Sequence, residues 1–272
     1  MNSDAGRVAG VSSDATRAAG MSSEPDISVC VPVYRAHGEP NIATVAATLQ
    51  DGLDGLRGEL VVALNGISAE EAGVPDSATV VDLGVNRGVA PGWNAAAAAS
   101  RGAIVVFAND DLALGRGALA MLRAALLEHP EAGIVAPAGS RWDLSAPKHL
   151  EHVDLAGLGP GELRECDAVG GFLFALRREV FEAAGGFDEA YAPCSMEEID
   201  LCTTITHRLG LKCYAVAGVE VVHEYGISVA NPWKRVRHNG RSELLRSIHV
   251  RNVRHYRRKW REVLAQPSRP GA

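Results

Sequence analysis

Two adjacent carboxylates, Asp110 and Asp111, follow Asn109 at the end of an uninterrupted apolar segment, residues 103–108. Such a segment is typical of a strand buried on both faces of a parallel sheet. Ligands bind beyond the carboxyl ends of the strands in sheets of this kind. Neighbouring carboxylates repel each other unless a cation lies between them, and hard divalent cations prefer oxygen ligands. The triplet therefore indicates either a divalent metal that holds a diphosphate or an Asp-rich turn that caps the next helix.

A second group of acids begins a predicted helix. Glu197, Glu198 and Asp200 occupy its first turn, where the positive end of the helix dipole favours carboxylates. An acidic first turn is ordinary in helices, so a structural role remains an alternative to chemistry. His223 ends an apolar strand, a position where a lone histidine is more often structural than a ligand.

Asparagine and glycine residues surround the start of another predicted helix. Asn86, Gly88 and Asn94 lie in the segment 86–94, and backbone amides at such a helix start can face a phosphate. Many loops of this composition only reverse the chain, so this segment by itself leaves both interpretations open.

Strand and helix patterns alternate along the first half of the chain. The alternation predicts an α/β fold with a mainly parallel sheet flanked by helices in three layers. The predicted strands are residues 27–34, 60–64, 79–83, 103–108 and 134–136, and the predicted helices are residues 42–53, 88–100 and 117–128.

The second half is less regular, and we expect it to complete the same sheet within one domain, residues 26–229. Its predicted strands are residues 169–176 and 213–223, and its predicted helices are residues 178–184 and 198–209. Residues 1–25 consist mainly of Ala, Gly, Ser and Asp with almost nothing large to bury, which predicts a disordered N-terminal extension.

The composition excludes several classes of protein. The chain has 272 residues and is 47% hydrophobic, enough for a substantial core. No segment has the roughly 18 consecutive apolar residues of a membrane span, and the N-terminus lacks the pattern of a secretory signal. The five cysteines form no CxxC pair. A reduced, cytoplasmic protein without a disulfide framework or zinc site is therefore expected.

Positive charge is concentrated near the C-terminus. From Asn231 onward, twelve Lys and Arg accompany two Glu, a net charge of +10 in a chain whose total is −6. Residues 230–272 are predicted to form a basic helical extension. Its helix either packs on the domain, contacts an anionic membrane peripherally at the inner face, or contacts an anionic acceptor or partner. Nucleic acid is not an expected partner, because the rest of the chain is acidic.

Taken in order, five segments resemble the family 2 glycosyltransferases of GT-A fold, in the rhamnosyltransferase-like branch. The resemblance covers about residues 27–228. The segments are Pro32-Val33-Tyr34, then Asn86-Arg87-Gly88 with Gly92-Trp93-Asn94, then Asn109-Asp110-Asp111, then a block from Gly170 to Glu189, and finally Glu197-Glu198-Ile199-Asp200-Leu201-Cys202 with Val222-His223.

The resemblance implies a metal site. Asp111, the last acid of a DXD-like triplet, is implied to bind Mn2+ or Mg2+, and His223 to be a second ligand. An imidazole ligand favours Mn2+. Asp110 is implied to contact either the ribose or the water shell of the metal.

The resemblance also implies a donor site and a base. Glu198 falls at the place of the catalytic base, Glu197 is the neighbouring candidate, and Asp200 is expected to be structural. The residues implied to line the donor site are Pro32, Tyr34, Asn65, Asn86, Gly88, Asn94, Asn109, Asp110 and Gly171.

The implied function is inverting transfer of a sugar from a nucleoside-diphosphate sugar to an acceptor hydroxyl. The acceptor class is open: a small molecule, a glycan or a lipid-linked saccharide. The acid that often reads the nucleobase is absent, since the second strand ends in Ala63-Leu64-Asn65. The nucleotide is therefore open as well, and the amide of Asn65 is a candidate base contact.

Two alternatives remain at this point. A nucleotidyltransferase acting on a sugar phosphate also uses acids and a metal. Such an enzyme needs a basic Gly-rich loop after the first strand, and residues 33–38 supply only one Arg and one Gly. A non-catalytic nucleotide-sugar-binding protein would have kept the fold and lost turnover. The sequence predicts no oligomeric state.

Overall fold

The structure is a computed structural model and describes residues 24–34, 41–223 and 233–265. Most of the predicted N-terminal extension, residues 1–23, lies outside the described residues. The same holds for residues 35–38, which bear on the nucleotidyltransferase alternative, and for residues 224–228 at the end of the family resemblance.

The described residues form seven α-helices and fifteen strands. The helices are α1 (Ile42–Leu53), α2 (Ala69–Ala72), α3 (Val89–Ala99), α4 (Ala118–Glu128), α5 (Arg178–Ala184), α6 (Glu197–His207) and α7 (Leu245–Leu264). The strands are β1 (Ile27–Val33), β2 (Gly58–Leu64), β3 (Thr79–Asp82), β4 (Ile104–Ala108), β5 (Leu112–Leu114), β6 (Ala132–Ala136), β7 (Gly139–Asp143), β8 (Lys148–His152), β9 (Leu163–Cys166), β10 (Ala168–Val169), β11 (Leu173–Arg177), β12 (Lys212–Val216), β13 (Val221–His223), β14 (Arg235–His238) and β15 (Arg241–Leu244).

Eight strands form the central sheet, in the order β3-β2-β1-β4-β11-β6-β12-β9. Strands β3, β2, β1 and β4 are parallel to one another, and β6 is parallel to β12. Strands β11 and β9 are antiparallel to their neighbours. The predicted α/β fold with a mainly parallel sheet is confirmed.

Helices cover both faces of this sheet, which makes three layers. Successive residues of β4 contribute to opposite faces: Val105 and Phe107 belong to the core that contains α3, α5 and α6. Ile104, Val106 and Ala108 belong to the core beneath α1 and α4. Because successive side chains of a strand point to opposite faces, a strand between two helical layers must be apolar throughout. All five residues of β4 are buried.

The carboxyl edge, where β1, β2 and β4 end at Val33, Leu64 and Ala108, also receives the beginning of β11. Strand β11 runs against β4, so Leu173 pairs with Ala108. The segment 170–172, just before β11, therefore lies at the same edge as the residues that follow β4.

Two predicted strands are each divided. The expected strand 169–176 consists of β10 in a small sheet and β11 in the central sheet, because Gly170–Phe172 leaves the ladder; the amide of Gly170 donates to the carbonyl of Ala138 at 2.8 Å. The expected strand 213–223 consists of β12 and β13, separated by a turn in which Gly218 has φ of 80°. Glycine adopts this left-handed conformation without steric cost.

The described part of the C-terminal extension begins with a hairpin, which the sequence analysis did not predict, and continues as helix α7. Strands β14 and β15 pair antiparallel around Asn239 and Gly240, whose φ values are 46° and 73°. Asn-Gly with two positive φ angles is the preferred two-residue hairpin turn. The dipeptide was a usable signal in the sequence.

Helix α7 packs on the domain along one stripe. Its buried residues recur every three or four positions: Leu245, Ile248, Asn252, Tyr256 and Trp260. Tyr256 and Trp260 belong to the same core as the residues of α3 and α6. The side chain of Asp200 accepts hydrogen bonds from Trp260 Nε1 at 2.7 Å and Lys259 Nζ at 2.7 Å. These contacts agree with the alternative in which the helix of the extension packs on the domain. They also give Asp200 a structural role, since its side chain binds α7.

No helix in the described part of the chain is both long and apolar enough to cross a bilayer. Helix α7 is the longest at 20 residues, and its outward face carries several arginines.

We predict that Trp260→Ala lowers the free energy of unfolding by about 3–5 kcal/mol, as expected for truncating a large aromatic side chain in a core. Urea denaturation measures this change. The matched control is Arg254→Ala on the exposed face of the same helix, which should change stability by less than about 0.5 kcal/mol. Equal stability of the two variants would show that α7 is not part of the core.

Candidate functional site

Asp111 and His223 are brought together by two short strands. Strand β5 begins at Leu112 and pairs antiparallel with β13, so that His223 stands opposite Leu112. Asp111 precedes Leu112, and its Oδ1 lies 3.3 Å from Nε2 of His223. Both side chains are largely buried, with 14% and 10% exposure. The two predicted metal ligands therefore meet at one place in the fold.

Phe172 orients the histidine. Its ring stacks on the imidazole of His223 with a centroid separation of 4.7 Å and an interplanar angle of 12°. The carbonyl of Phe172 accepts a hydrogen bond from the amide of Asn109 at 2.9 Å. Thus a single residue ahead of β11 contacts both the triplet that follows β4 and the histidine that ends β13.

Glu198 lies against the neighbouring residue, Gly171. A β-carbon added at Gly171 would be 3.1 Å from both Cδ and Oε1 of Glu198, so the carboxyl group packs directly on the glycine backbone. Gly171 contacts Glu198, and the next residue, Phe172, contacts His223. These two adjacent residues therefore lie between Glu198 and the Asp111–His223 pair. Absence of a side chain at Gly171 leaves space for the carboxylate.

Both glutamates at the start of α6 are in an environment that disfavours their charge. Burial raises the pKa of the Glu197 carboxyl well above its ordinary range, and repulsion from Glu198 adds to this shift. Burial also raises the pKa of the Glu198 carboxyl. Glu197 is 6% exposed, and its Oε2 accepts no hydrogen bond from the described residues. Glu198 is the more accessible of the two.

Asn65 connects the end of β2 to the loop before α3. Its backbone amide donates to the carbonyl of Val33 at 2.7 Å. Its side-chain Oδ1 accepts from the amide of Arg87 at 3.1 Å, and its Nδ2 donates to the carbonyl of Gly88 at 3.3 Å. Asn65 is 2% exposed. Its amide therefore holds the loop, while its contact with a nucleobase stays a prediction.

The loop itself is shaped by Asn86 and Gly88. Oδ1 of Asn86 accepts from the amide of Gly88 at 3.0 Å, and its Nδ2 donates to the carbonyl of Arg237 in the C-terminal hairpin at 2.8 Å. Gly88 has φ of 106°, and a β-carbon there would lie 2.7 Å from Cα of Pro193. Only glycine fits this conformation and this close approach.

The remaining predicted donor residues occupy two different places. Pro32 in β1 lies beside Gly92 of α3, where an added β-carbon would be 2.7 Å from Cβ of Pro32. Tyr34 follows β1 and is 41% exposed. Asn94 instead points to the loop after α5, where its Nδ2 donates to the carbonyl of Phe187 at 2.9 Å and its Oδ1 accepts from the amide of Phe187 at 2.9 Å. This geometry makes Asn94 a support of that loop.

A divalent cation fits the Asp111–His223 pair as one corner of its coordination shell. Two ligands at a right angle, each about 2.1 Å from the ion, are about 3.0 Å apart, close to the 3.3 Å separation here. Oδ1 of Asp111 is buried and accepts no hydrogen bond from the described residues, which leaves it available to a cation. Among those residues, no group of three or more His, Cys, Asp or Glu side chains could hold a metal. Diphosphate and water oxygens would have to supply the other ligands.

A cavity of about 380 Å³ lies beside the segment 170–172. It is lined by Pro137, Ala138, Gly139, His152, Val153 and Leu155. Its wall adjoins the site, since Ala138 accepts the hydrogen bond from Gly170. Residues 152, 153 and 155, at the end of strand β8 and just after it, form part of the wall of this cavity.

Sequence analysis missed three contributors to the site: Phe172 in its stacking role, the loop 191–196 ahead of α6, and Asn252 of α7, which binds that loop. Asn252 did leave a signal, because it is a polar residue within the apolar stripe of α7. The close contact between Gly88 and Pro193 left none, because it depends on tertiary structure alone.

The model of the family described as "Glycosyl transferase family 2" matches residues 28–183, more than half of the chain. The chain belongs to glycosyl transferase family 2. The match includes the triplet at Asn109 and the glycine segment before β11, and it ends before Glu197 and His223.

One solved structure resembles this family 2 chain in fold, and a second is a weaker match. A crystal structure of GalNAc-T7 with UDP, GalNAc and Mn2+ has a TM-score of 0.63 at 17% identity, covering 90% of this chain and 52% of that one. The mannosyltransferase PcManGT from Pyrobaculum calidifontis, in complex with GDP-Man and Mn2+, has a TM-score of 0.48 at 21% identity, covering 71% and 55%. The chain thus spans about half the length of each. No curated protein matches the sequence.

The first of these likenesses supports the GT-A fold and, at that identity, the fold alone. The assignment to the family rests on the sequence match. The branch within the family stays a prediction.

We predict that Glu197→Gln stabilises the protein at pH 8 and that this gain shrinks as the pH falls toward 4.5. The raised pKa of Glu197 means that the folded state holds the proton at a pH where the unfolded chain has lost it. Stability contributed by this group therefore decreases as the pH rises through that window, and glutamine removes the loss. Denaturant titrations at several pH values measure the effect.

The control for this experiment is Glu182→Gln, which changes an exposed carboxylate on α5. It should leave the pH dependence of stability nearly unchanged. A constant difference between Glu197→Gln and the wild type at every pH would contradict the proposed burial of a proton at this site.

Proposed function

We propose that the chain is an inverting, divalent-metal-dependent glycosyltransferase, which moves a sugar from a nucleoside-diphosphate donor to an acceptor hydroxyl. The observation that carries this proposal is the position of segment 171–172. Gly171 packs on Glu198, while Phe172 contacts the His223 ring and the backbone of Asn109. A base and a cation-binding pair are thereby held on two sides of one site, at the carboxyl edge where α/β sheets bind ligands.

Asp111 and His223 would hold Mn2+ or Mg2+, with Asp110 and Asn109 beside them. The cation would neutralise negative charge on the departing nucleoside diphosphate. The bound Mn2+ of the GalNAc-T7 structure belongs to that protein and is in keeping with this choice. Imidazole and carboxylate together favour Mn2+ over Mg2+.

Glu198 is the proposed general base. Its carboxylate takes the proton of the acceptor hydroxyl while that oxygen bonds to the anomeric carbon and the bond from this carbon to the diphosphate oxygen breaks. Attack opposite the leaving group inverts the anomeric configuration. The raised pKa of the Glu198 carboxyl makes its carboxylate a stronger base, and a positioned base of this kind contributes about 10²–10⁴-fold to the rate. Glu197 is less accessible, which supports Glu198 for the role.

The donor nucleotide is proposed to lie over the ends of β1 and β2 and the loop before α3. Pro32 and Tyr34 border this region, and Asn65 and Asn86 fix the backbone around Gly88. These two asparagines act here through the loop.

The acceptor is proposed to enter through the cavity beside Ala138. The lining combines apolar side chains with one imidazole, His152. Such a lining suits the apolar face of a sugar or the chain of a lipid-linked saccharide, with the reacting hydroxyl directed past Gly170 toward Glu198.

We predict that a nucleotide sugar raises the melting temperature only when Mn2+ is present, and that Asp111→Ala and His223→Ala remove this shift. Glu198→Gln should retain the shift and lower the transfer rate by about 10²–10⁴-fold. A thermal-shift screen of nucleotide sugars, followed by a transfer assay with the donor found, measures both. Glu182→Gln is the control for a remote carboxylate.

The outcomes separate the alternatives. Normal turnover by Glu198→Gln would reject this residue as the base. Donor binding without transfer to any acceptor would favour a non-catalytic nucleotide-sugar-binding protein. Incorporation of a nucleotide onto a sugar phosphate would favour nucleotidyltransfer.

We further propose that the outward face of α7 contacts an anionic membrane surface peripherally, at the cytoplasmic side. Arg246, Arg254 and Arg261 are exposed on that face, and among the described residues none of them pairs with a carboxylate. Trp233, 65% exposed, lies next to Arg246, whose guanidinium is 5.8 Å from its ring centroid. Arginine and tryptophan together suit the headgroup region of a bilayer.

We predict that replacing Arg246, Arg254 and Arg261 by Gln weakens binding to vesicles of phosphatidylcholine and phosphatidylglycerol by about 100-fold, since each cation near the surface contributes about 1 kcal/mol. Vesicle co-sedimentation at low and high salt measures this. The control replaces three exposed cations outside the extension, Arg116, Lys148 and Arg164, by Gln. Equal binding of both variants, or equal binding to vesicles of phosphatidylcholine alone, would reject the proposed surface.

A further inference from the structure

The loop that leads into the proposed base is held by helix α7. Nδ2 of Asn252 lies 2.6, 3.0 and 2.9 Å from the carbonyl oxygens of Tyr191, Cys194 and Ser195. Asn252 is fully buried. The two N–H bonds of this amide thus serve three backbone carbonyls of the loop 191–196, so one N–H is shared between two of them. This loop directly precedes Glu197.

This loop adopts a conformation that its own sequence does not favour. Ser195 and Met196 have φ of 86° and 80°, in the left-handed region that side chains other than glycine rarely occupy. Two consecutive residues of this kind persist only when the surroundings hold them. Met196 is the residue from which α6 begins, so its conformation sets the direction of Glu197 and Glu198.

Neighbouring residues of α7 add to the same attachment. Nη2 of Arg251 donates to the carbonyl of Ala192, and Nη1 of Arg251 pairs with Glu243 of the hairpin at 2.9 Å. Oγ of Ser195 lies 2.9 Å from Nδ1 of His249. His249, Arg251 and Asn252 of α7 therefore all contact the loop.

The same part of the chain also holds the loop before α3. The amide of Asn239 donates to the carbonyl of Asn86 at 2.8 Å, and Nδ2 of Asn86 donates to the carbonyl of Arg237 in the hairpin. The two loops contact each other as well, since the amide of Val89 donates to the carbonyl of Pro193 at 2.8 Å. Residues 235–252 thus join the donor side of the site to the base side.

We propose that Asn252 is a positioning residue for the base: through the loop 191–196 it fixes the orientation in which Glu198 meets the acceptor hydroxyl. This proposal rests on the proposed function. Asn252 touches neither substrate nor cation, and its effect is on the turnover rate and not on donor binding.

The test uses Asn252→Asp in the full-length chain. A carboxylate of the same shape cannot donate to the three carbonyls, so the loop loses its attachment. We expect kcat to fall by about 100-fold, the loss typical of a small misplacement of catalytic groups, while the Mn2+-dependent thermal shift with donor stays the same. Glu262→Gln, at an exposed position near the C-terminal end of α7, is the control and should leave both quantities unchanged.

A double variant distinguishes positioning from general damage. If Asn252 acts through Glu198, adding Asn252→Asp to Glu198→Gln should lower the residual transfer rate no further. A further loss of 10-fold or more would show that Asn252 supports the fold in another way and would overturn the proposal.

Cys194 supplies a measurement that does not depend on activity. It lies in the loop, it is partly exposed, and the other four cysteines are buried. Burial raises the pKa of its thiol to about 12, so alkylation by iodoacetamide should be slow in the wild type. Asn252→Asp should accelerate the alkylation by at least about 10-fold, and Glu262→Gln should not.

The two measurements fail in different ways. Suppose that Asn252→Asp is alkylated faster but the wild-type chain transfers no sugar. This result would contradict the proposed function and would still support the inference that Asn252 attaches the loop to α7. Unchanged alkylation would overturn the attachment itself. If Asn252→Asp does not fold, Arg251→Ala, which removes an exposed partner of the same loop, should show smaller changes in the same direction.

Discussion

The reversal of one strand is the constraint on which the site depends. Strand β11 lies between β4 and β6 and runs against both, so its beginning meets the end of β4. A parallel strand there would have placed the segment 170–172 at the opposite edge of the sheet. Because β11 is antiparallel, the amide of Asn109 donates a hydrogen bond to the carbonyl of Phe172, and the carboxyl group of Glu198 packs on the backbone of Gly171. The residues proposed to bind the cation and the residue proposed as the base converge because of this strand.

Charge burial is the energetic cost of that convergence. Glu197, Glu198 and Asp111 are held with few compensating partners among the described residues, and the pKa values of the two glutamates are raised accordingly. A carboxylate whose pKa is raised in this way is a stronger base than one in water. The apolar cores on both faces of the central sheet stabilise the fold and offset this cost of burying charge.

The C-terminal extension is part of the same unit. Its inner face joins the core through Tyr256 and Trp260, and its polar residues bind the loops on two sides of the site. Its outer face keeps the arginines that the inner contacts do not use. The inner face thus packs against the domain, and the outer face accounts for much of the positive charge that distinguishes this segment from the remaining chain.

The sequence by itself determined the alternation of strands and helices, the buried strand ending in Asn109, and the ordered motifs that indicate the family, because these follow from local patterns of apolar residues and from residue types at short spacing. The sequence also contained Asn239-Gly240, and it contained the polar Asn252 within an apolar stripe. The structural roles of these residues depend on the parts of the chain that they contact in the fold. Only the tertiary structure decided that Asp111 meets His223, that Gly171 abuts Glu198, and that Asn252 holds the loop before α6. These pairs lie far apart along the chain, and strand order, strand direction and the packing of α7 bring them together.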